Sequence, residues 1–481
     1  MFGSNQFLGW FSIVFLITAI PVAIMILLEK RSPYKTVAWI LALILLPIIG
    51  VLFYLVLGQE YRKRKMYSRR GLQGLREWRR KTSRQLRSFD PPQNHQELRQ
   101  YEHLIRLMLN NSNALLTTGN DLQLLKDGDH TFSVLFEAIA NARHHIHLEY
   151  YIFGNDKIGG QLVELLLKKR TEGVEVRIIV DDVGSWSLNK RFFRHLRENS
   201  IEIYPFMEVR FPRLTSKVNH RNHRKLTIID GKVGFIGGIN IADRYVEGDS
   251  KLGKWRDTHL KITGDAAASL QVIFAADWYF VSKQDLKGRD YFPKFSETPG
   301  IPVQVCAGGP DHDWEGIAQA FFSAITSARK RIHLVTPYLM PPPALLEALK
   351  TAALSQVDIR IIIPQKSDAR VSQWCSFSYV EELLEAGVRI FLYQNGFIHS
   401  KYMLVDDSFS TIGTSNFDFR SFETNFEANA FIYSHSFLKE VEAHFLDDQT
   451  NCQEVKLVQW RKRPVINKVR EALAHIVSPM F

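Results

Sequence analysis

Two short stretches of this chain carry residue types and spacings suited to phosphoryl chemistry. The first is His223-Arg-Lys225-Leu-Thr-Ile-Ile-Asp230, followed by Gly237-Gly-Ile-Asn240. The second is His399-Ser-Lys401-Tyr-Met-Leu-Val-Asp406, followed by Gly413-Thr-Ser-Asn416. From each histidine the lysine stands at +2, the aspartate at +7, the glycine at +14 and the asparagine at +17. In an extended strand, side chains at i and i+2 project from the same face, so each His-Lys pair points one way. The apolar residues between Lys and Asp read as a buried strand that holds the pair. The aspartate ends that strand at a turn, which suits it to orienting its surroundings. The glycine lets the next segment approach closely, and an Asn amide could donate to a phosphate oxygen.

Two such halves facing one another would place two imidazoles, two ammonium groups and two amides around one phosphorus. One histidine could then attack phosphorus, while the other protonates the departing alkoxide and deprotonates the incoming hydroxyl. The lysines would neutralise charge developing on the phosphoryl oxygens. Each imidazole needs a partner to fix its tautomer. Aligning the halves sets Asp257, in Trp255-Arg-Asp257, against Glu427, in Asn425-Phe-Glu427, with Glu423 as a weaker alternative. The candidate site is therefore His223, Lys225, Asp230, His399, Lys401 and Asp406, supported by Asn240, Asn416, Asp257 and Glu427. His220 and Arg221 read equally as headgroup contacts or as structure. His144, His145, His147 and His333 read as strand or surface histidines. The Asp181-Asp182 pair is too little for a metal site. Cys306, Cys375 and Cys452 have no ligand spacing, so neither metal nor cofactor is expected.

The elements that must position these residues repeat. Ala142-Arg-His-His-Ile-His-Leu148 corresponds to Ala328-Arg-Lys-Arg-Ile-His-Leu334, and Val174-Glu-Val-Arg-Ile-Ile-Val180 to Val357-Asp-Ile-Arg-Ile-Ile-Ile363. A helical pattern lies between them in each copy. Alternation of period-2 and period-3.6 patterning predicts βαβ units and an α/β fold built from a duplicated domain. The first copy is longer ahead of its motif; its extra Phe206, Phe211, Pro212 and Leu214 read as a packed loop or as a contact for acyl chains. Gly308-Gly-Pro-Asp311 reads as a turn.

Charge is unevenly placed. The chain of 481 residues has a formal charge of +11, and its first 90 residues, with 15 Lys+Arg against 4 Asp+Glu, hold the whole surplus. A nucleic-acid enzyme would usually carry such a surplus on its catalytic body; beside apolar segments it favours anionic lipid headgroups. Phe7 to Leu28 and Val37 to Leu57 are uncharged runs of 22 and 21 residues, each long enough to cross a bilayer as a helix. The short connector keeps a re-entrant pair open. Twelve basic residues from Arg62 to Arg87 predict a cytoplasmic body. With Leu72, Leu75, Trp78 and Leu86 they could form a basic helix on the membrane surface or a solvated linker. The expected organisation is a membrane anchor over 1–58, a basic juxtamembrane linker over 59–110, a first half over 111–300 (motif 223–240) and a second over 301–481 (motif 399–416).

At these motifs the chain resembles the phospholipase D superfamily. Asn222-His-Arg-Lys225, Trp255-Arg-Asp-Thr-His259, Gly309-Pro-Asp311, Arg420-Ser-Phe-Glu423, the N-terminal Arg31-Ser-Pro-Tyr-Lys-Thr36 and the ending Ser478-Pro-Met-Phe481 are similar to bacterial cardiolipin synthases. The resemblance implies a bacterial inner-membrane enzyme. It would move a phosphatidyl group from one phosphatidylglycerol to another through a phosphatidyl-histidine, releasing glycerol, without nucleotide or metal. By analogy His223 is the nucleophile and His399 the acid and base. The alternatives are a phospholipase D-type phosphodiesterase, including a nuclease, a transphosphatidylase with another acceptor, and a non-catalytic scaffold. No nucleic-acid partner is expected.

Overall fold

The computed structural model describes residues 19–28, 33–45, 50–51, 54, 73–90, 96–209, 220–294 and 299–480. It divides into two units, one of residues 1–64 and 209–220 and the other of 65–208 and 221–481.

The larger unit is α/β and duplicated. Its first sheet has seven strands in the order Asn120–Leu125, His259–Gly264, Val233–Gly237, Lys225–Ile229, His145–Tyr150, Glu175–Asp181, Glu202–Phe206. The second sheet repeats that order with Val303–Gly308, Glu427–Tyr433, Phe409–Gly413, Tyr402–Val405, Arg331–Val335, Asp358–Pro364 and Arg389–Tyr393, and adds Leu116–Thr117 and Cys452–Glu454 at its edges. In each sheet the last three strands of the shared order run parallel and the rest pair antiparallel. The parallel strands are connected through helices such as Lys157–Thr171 and Pro343–Leu354, as βαβ crossovers require.

The strands of both motifs are buried along their whole length, which accounts for their unbroken apolar runs. Leu226, Ile228, Ile236 and Leu260 of the first sheet share one core with Leu404, Ile412, Ala428 and Ile432 of the second. Helices Asp265–Ser282 and His435–Thr450 add Phe274, Trp278, Val441 and Phe445 to that central layer. The repeat extends to details: His147 stacks on Phe274 and His333 on Phe445, each pair at 4.4 Å. These strand histidines are core residues. Phe206, read as part of a packed loop or of an acyl-chain contact, is also buried in the central core; Phe211, Pro212 and Leu214 lie outside the described residues.

Within the stretch expected to be a linker, Gln73–Ser88 and Glu102–Asn111 are helices. Trp78 packs against Leu115, Ala268 and Val272, and its indole donates to the Asn113 carbonyl at 3.1 Å. Tyr101, Leu104, Ile105 and Met108 join the core of the second half. Trp78 and Leu86 on the apolar side of the basic helix thus pack on protein, while Arg76, Arg79, Arg80, Lys81, Arg84 and Arg87 stay exposed. Sequence pattern shows that a helix is amphipathic but not what covers its apolar face.

In the smaller unit residues 19–28 are helical, and a second helix spans Pro33–Leu45. It begins four residues earlier than the apolar run, because proline at the first turn loses no hydrogen bond. Ile26, Leu43 and Tyr54 pack together, with the Trp39 and Tyr54 rings 5.4 Å apart. Among the described residues no helix is long and apolar enough to cross a membrane.

Candidate active site

Each half presents its motif where the motif strand begins, and each histidine is held by the other half. The main chain of Phe397–Ile398 pairs in parallel with Trp255–Arg256. The His399 amide then donates to the Arg256 carbonyl at 2.7 Å. Symmetrically, Asn222 bridges to Phe426 and the His223 amide donates to the Phe426 carbonyl at 2.9 Å. The residue after each of these carbonyls is the carboxylate. His399 Nδ1 lies 2.6 Å from Asp257 Oδ2, and His223 Nδ1 lies 2.8 Å from Glu427 Oε1. A proton on Nδ1 donated to the carboxylate leaves Nε2 with its lone pair free, the form a nucleophile or base needs.

The lysines sit beside the imidazoles. Lys225 Nζ donates to the His223 carbonyl at 2.5 Å and lies 5.2 Å from the centre of the Tyr151 ring, which itself packs 5.0 Å from His223. Lys401 Nζ lies 2.9 Å from His399 Nδ1 and 3.9 Å from Asp257 Oδ2, and it also donates to the His399 carbonyl. All six side chains are nearly closed off from solvent, and His223, the most open, is 9% exposed.

Burial in this cationic cluster sets the protonation states. Desolvation lowers His223 to about 4, against the pull of Glu427. It pushes His399 well down, with Lys401, Lys225 and His223 adding to the effect. Lys225 falls to about 7 and Lys401 to about 8, again through burial first. The carboxylates diverge. Burial raises Asp257 to about 6 despite Lys401. Burial also works against Glu427, but the charge of His223, its hydrogen bond and Lys225 outweigh it and hold that carboxyl low. The two motif halves feel one another's charge, as residues around a common centre must.

The other candidates fall elsewhere. Asp230 and Asp406 lie at the far end of the motif strands from the histidines. Asp230 accepts from the amides of Arg143, His144 and His145 at 2.8–3.0 Å, and Asp406 from those of Arg329, Lys330 and Arg331 at 2.8–3.2 Å. Both have positive φ, 53° and 50°, a region Asp tolerates better than most residues. They cap the neighbouring strand and do not meet the imidazoles. Asn240 is committed to protein: Oδ1 accepts from the Ile152 amide at 3.0 Å and Nδ2 donates to Tyr245 Oη at 2.7 Å. Asn416 is committed at one end only: its side chain hydrogen-bonds the Asp418 carboxylate, while its buried Oδ1 has no partner among the described residues. Gly237 is required by close approach, because a Cβ there would fall 2.6 Å from the His259 Cα.

Sequence reasoning missed several supports. Thr414 donates to Glu427 Oε2. Arg224, between the motif His and Lys but on the opposite face, is fully buried; it binds the Glu427 and Gly308 carbonyls at 3.1 and 3.0 Å and pairs with Asp277. A charge inside an apolar strand was the available signal. Asp181 is no half of a metal pair: it accepts from the Asn222 amide at 2.8 Å and pairs with Arg221 at 3.2 Å. Among the described residues no group of His, Cys, Asp and Glu is arranged to hold a metal ion.

A duplicated α/β domain that brings a His-Lys pair from each half to one buried centre, each histidine backed by a carboxylate, is the architecture of the phospholipase D type. Comparison with known proteins narrows this. The family described as "Cardiolipin synthase, PLD-like domain" matches residues 135–278 and 321–449, and one described as phospholipase D-nuclease N-terminal matches residues 8–59. The cardiolipin synthase of Geobacillus sp. (strain WCH70) is 39% identical over 99% of this chain and 95% of its own; cardiolipin synthase 2 of Bacillus anthracis is 38% identical over 97% and 91%. The crystal structure of phosphatidylserine synthase from Haemophilus influenzae Rd KW20 shares the fold, with a TM-score of 0.60 at 15% identity over 79% of this chain and 100% of that one. The chain belongs to the cardiolipin synthase family, and it is a phosphatidyltransferase.

Proposed function

We propose that the enzyme converts two molecules of phosphatidylglycerol into cardiolipin and glycerol, with His223 as nucleophile and His399 as acid and base. The observation that supports a two-histidine cycle is that each imidazole is held at Nδ1 by a carboxylate of the other half; which histidine takes which role follows the family resemblance. Glu427 stays anionic beside His223, which strengthens the Nε2 lone pair. Asp257, though raised to about 6, is mostly anionic at neutral pH and stabilises His399 when it carries the proton of the acid step.

In the first step Nε2 of His223 attacks phosphorus, the P–O bond to the headgroup glycerol breaks, and His399, charged as the imidazolium that the bound phosphodiester anion favours, gives its Nε2 proton to the leaving oxygen. In the second, a hydroxyl of another phosphatidylglycerol loses its proton to His399 and attacks phosphorus, and the N–P bond breaks. Phosphodiester number is conserved, so no nucleotide is consumed. Lys225 and Lys401 hold the phosphoryl oxygens as charge builds on them. Asp230 and Asp406 act by fixing the motif strands. The site's burial excludes water, which would otherwise divert the intermediate to phosphatidic acid.

The membrane is the source of both substrates. We place the two N-terminal apolar segments, 7–28 and 37–57, in the bacterial inner membrane with the body cytoplasmic, on the strength of the basic residues that follow them. Exposed Leu27, Leu28, Ile44 and Leu45 support that reading. Phosphatidylglycerol labelled in its phosphate tests the covalent step. With His399→Ala, the label should stay on the chain through an acid-labile, base-stable bond at His223; label on no histidine would contradict the mechanism.

A further inference from the structure

The helix Val465–Val477 near the C-terminus is built the wrong way round for a helix on a soluble surface. Its outward side chains are Val465, Ile466, Val469, Leu473 and Ile476, each between 46% and 75% exposed. They recur at the spacing of one helix face. The inward side holds Glu471, which pairs with Arg463 at 2.7 Å, together with Ala474 and Ser478. Lys468 and Arg470 flank the apolar stripe, the latter lying 5.7 Å from the centre of the Trp374 ring, and Lys462 stands exposed ahead of it. An exposed apolar stripe bordered by cations is the pattern of a helix lying in a bilayer interface, and the basic border complements anionic headgroups.

The position of the stripe adds a second argument. The helix packs on Arg370–Ser378: Cys375 Sγ contacts the Ala474 carbonyl at 3.2 Å and Ser378 Oγ lies 3.0 Å from His475 Nδ1. The turn that follows it, Ser478–Met480, packs against Phe419–Glu423. Both of these elements border the active site. Asp368, two residues ahead of the first, is exposed yet close enough for its charge to act on His399 and Lys401. Arg420, in the second, shares its surroundings with Tyr151 and Arg221.

We propose that the outer face of Val465–Val477 seats in the headgroup–acyl boundary of an anionic phospholipid bilayer, and that lipid reaches the active site from the membrane plane beside it. This rests on the lipid substrate proposed above. Two measurements on the full chain test it. Spin labels at Val469→Cys, Leu473→Cys and Ile476→Cys, in vesicles of phosphatidylglycerol and phosphatidylcholine, should collide with oxygen in preference to a nickel chelate. Preference for the chelate at all three would overturn the proposal, as would spin–spin broadening between labelled chains that dilution with unlabelled chains removes, which would make a second copy the occupant. The combined variant Val469→Gln, Leu473→Gln, Ile476→Gln should lose about tenfold or more of its activity on vesicle phosphatidylglycerol while keeping its activity on monomeric short-chain phosphatidylglycerol. Equal losses on both would assign the stripe a structural role and overturn the proposal. If the unaltered enzyme transfers nothing from either lipid, the reaction fails and the spin-label result still decides the membrane seat.

Discussion

His399 in the second half takes its carboxylate from the first: Nδ1 lies 2.6 Å from Asp257 Oδ2, and Trp255–Arg256, just ahead of Asp257, pair with the residues just ahead of His399. Glu427 returns the arrangement to His223 at 2.8 Å. Neither half therefore holds a complete His-carboxylate pair of its own.

Substitution at these pairs should separate chemistry from folding. His223→Ala and His399→Ala should each lower net transfer by about 10³-fold or more, since loss of either step stops the cycle. Glu427→Gln and Asp257→Asn should cost about 10²–10⁴-fold in kcat/KM by misplacing the imidazole proton, with circular dichroism spectra unchanged. Retention of near-full rates in either carboxylate variant would remove tautomer control from the mechanism.

The lysines should set an alkaline limit. Burial lowers Lys225 to about 7 and Lys401 to about 8, and only the charged amine stabilises the transition state. In the free enzyme kcat/KM should fall as pH rises through this range, far below the ~10.4 of an ordinary lysine. The limit on kcat should lie higher, because a bound phosphodiester anion favours the charged amines. Glu427→Gln removes a negative charge that raises Lys225, so its alkaline limb should move to lower pH. A kcat/KM profile flat to pH 10 would show that the amines stay charged.

Asp230→Ala should act on stability before chemistry. Three backbone amides lose their acceptor, a loss of about 2–4 kcal/mol, read as a lower denaturant midpoint. Although burial opposes it, the amides of His145, His144 and Arg143 hold the Asp230 carboxyl below its usual range. Its folded value therefore lies below the unfolded one, so the stabilisation is complete above about pH 4 and is lost as pH falls through the folded value. Asp230→Asn should flatten the acid side of the stability curve. An unchanged midpoint together with abolished transfer would instead make Asp230 part of the chemistry.

Gly238→Ala offers a finer probe. A Cβ at this position would run into the Asp257 carboxylate, so the variant should fold but lose activity by moving the partner of His399. The loss should resemble that of Asp257→Asn, and combining the two substitutions should be far from additive. Additive effects would mean that the glycine acts elsewhere.

Much of this was legible in the residues. The repeat, the α/β class and the His-Lys pairs follow from spacing, because strand periodicity fixes which side chains share a face. Aligning the halves points to Asp257 and Glu427, but their exchange between halves depends on one two-residue ladder and one isolated bridge, too short to leave a pattern. Asn240 read as a phosphate ligand because an amide's chemistry does not show which partner reaches it first; here Tyr245 and Ile152 do. Within the stretch expected to be a linker, the helices Gln73–Ser88 and Glu102–Asn111 join the core, and the pattern does not show it for a related reason. Basic residues mark a solvated face, while Trp78, Tyr101 and Met108 show only in three dimensions that the other face belongs to the core.

The most direct test of the central proposal is the product balance when purified enzyme meets phosphatidylglycerol alone. With the glycerol headgroup and the phosphate separately labelled, cardiolipin and free glycerol should appear in equal amounts, with phosphatidic acid a minor product. Phosphatidic acid as the main product would make water the acceptor and contradict the synthase account.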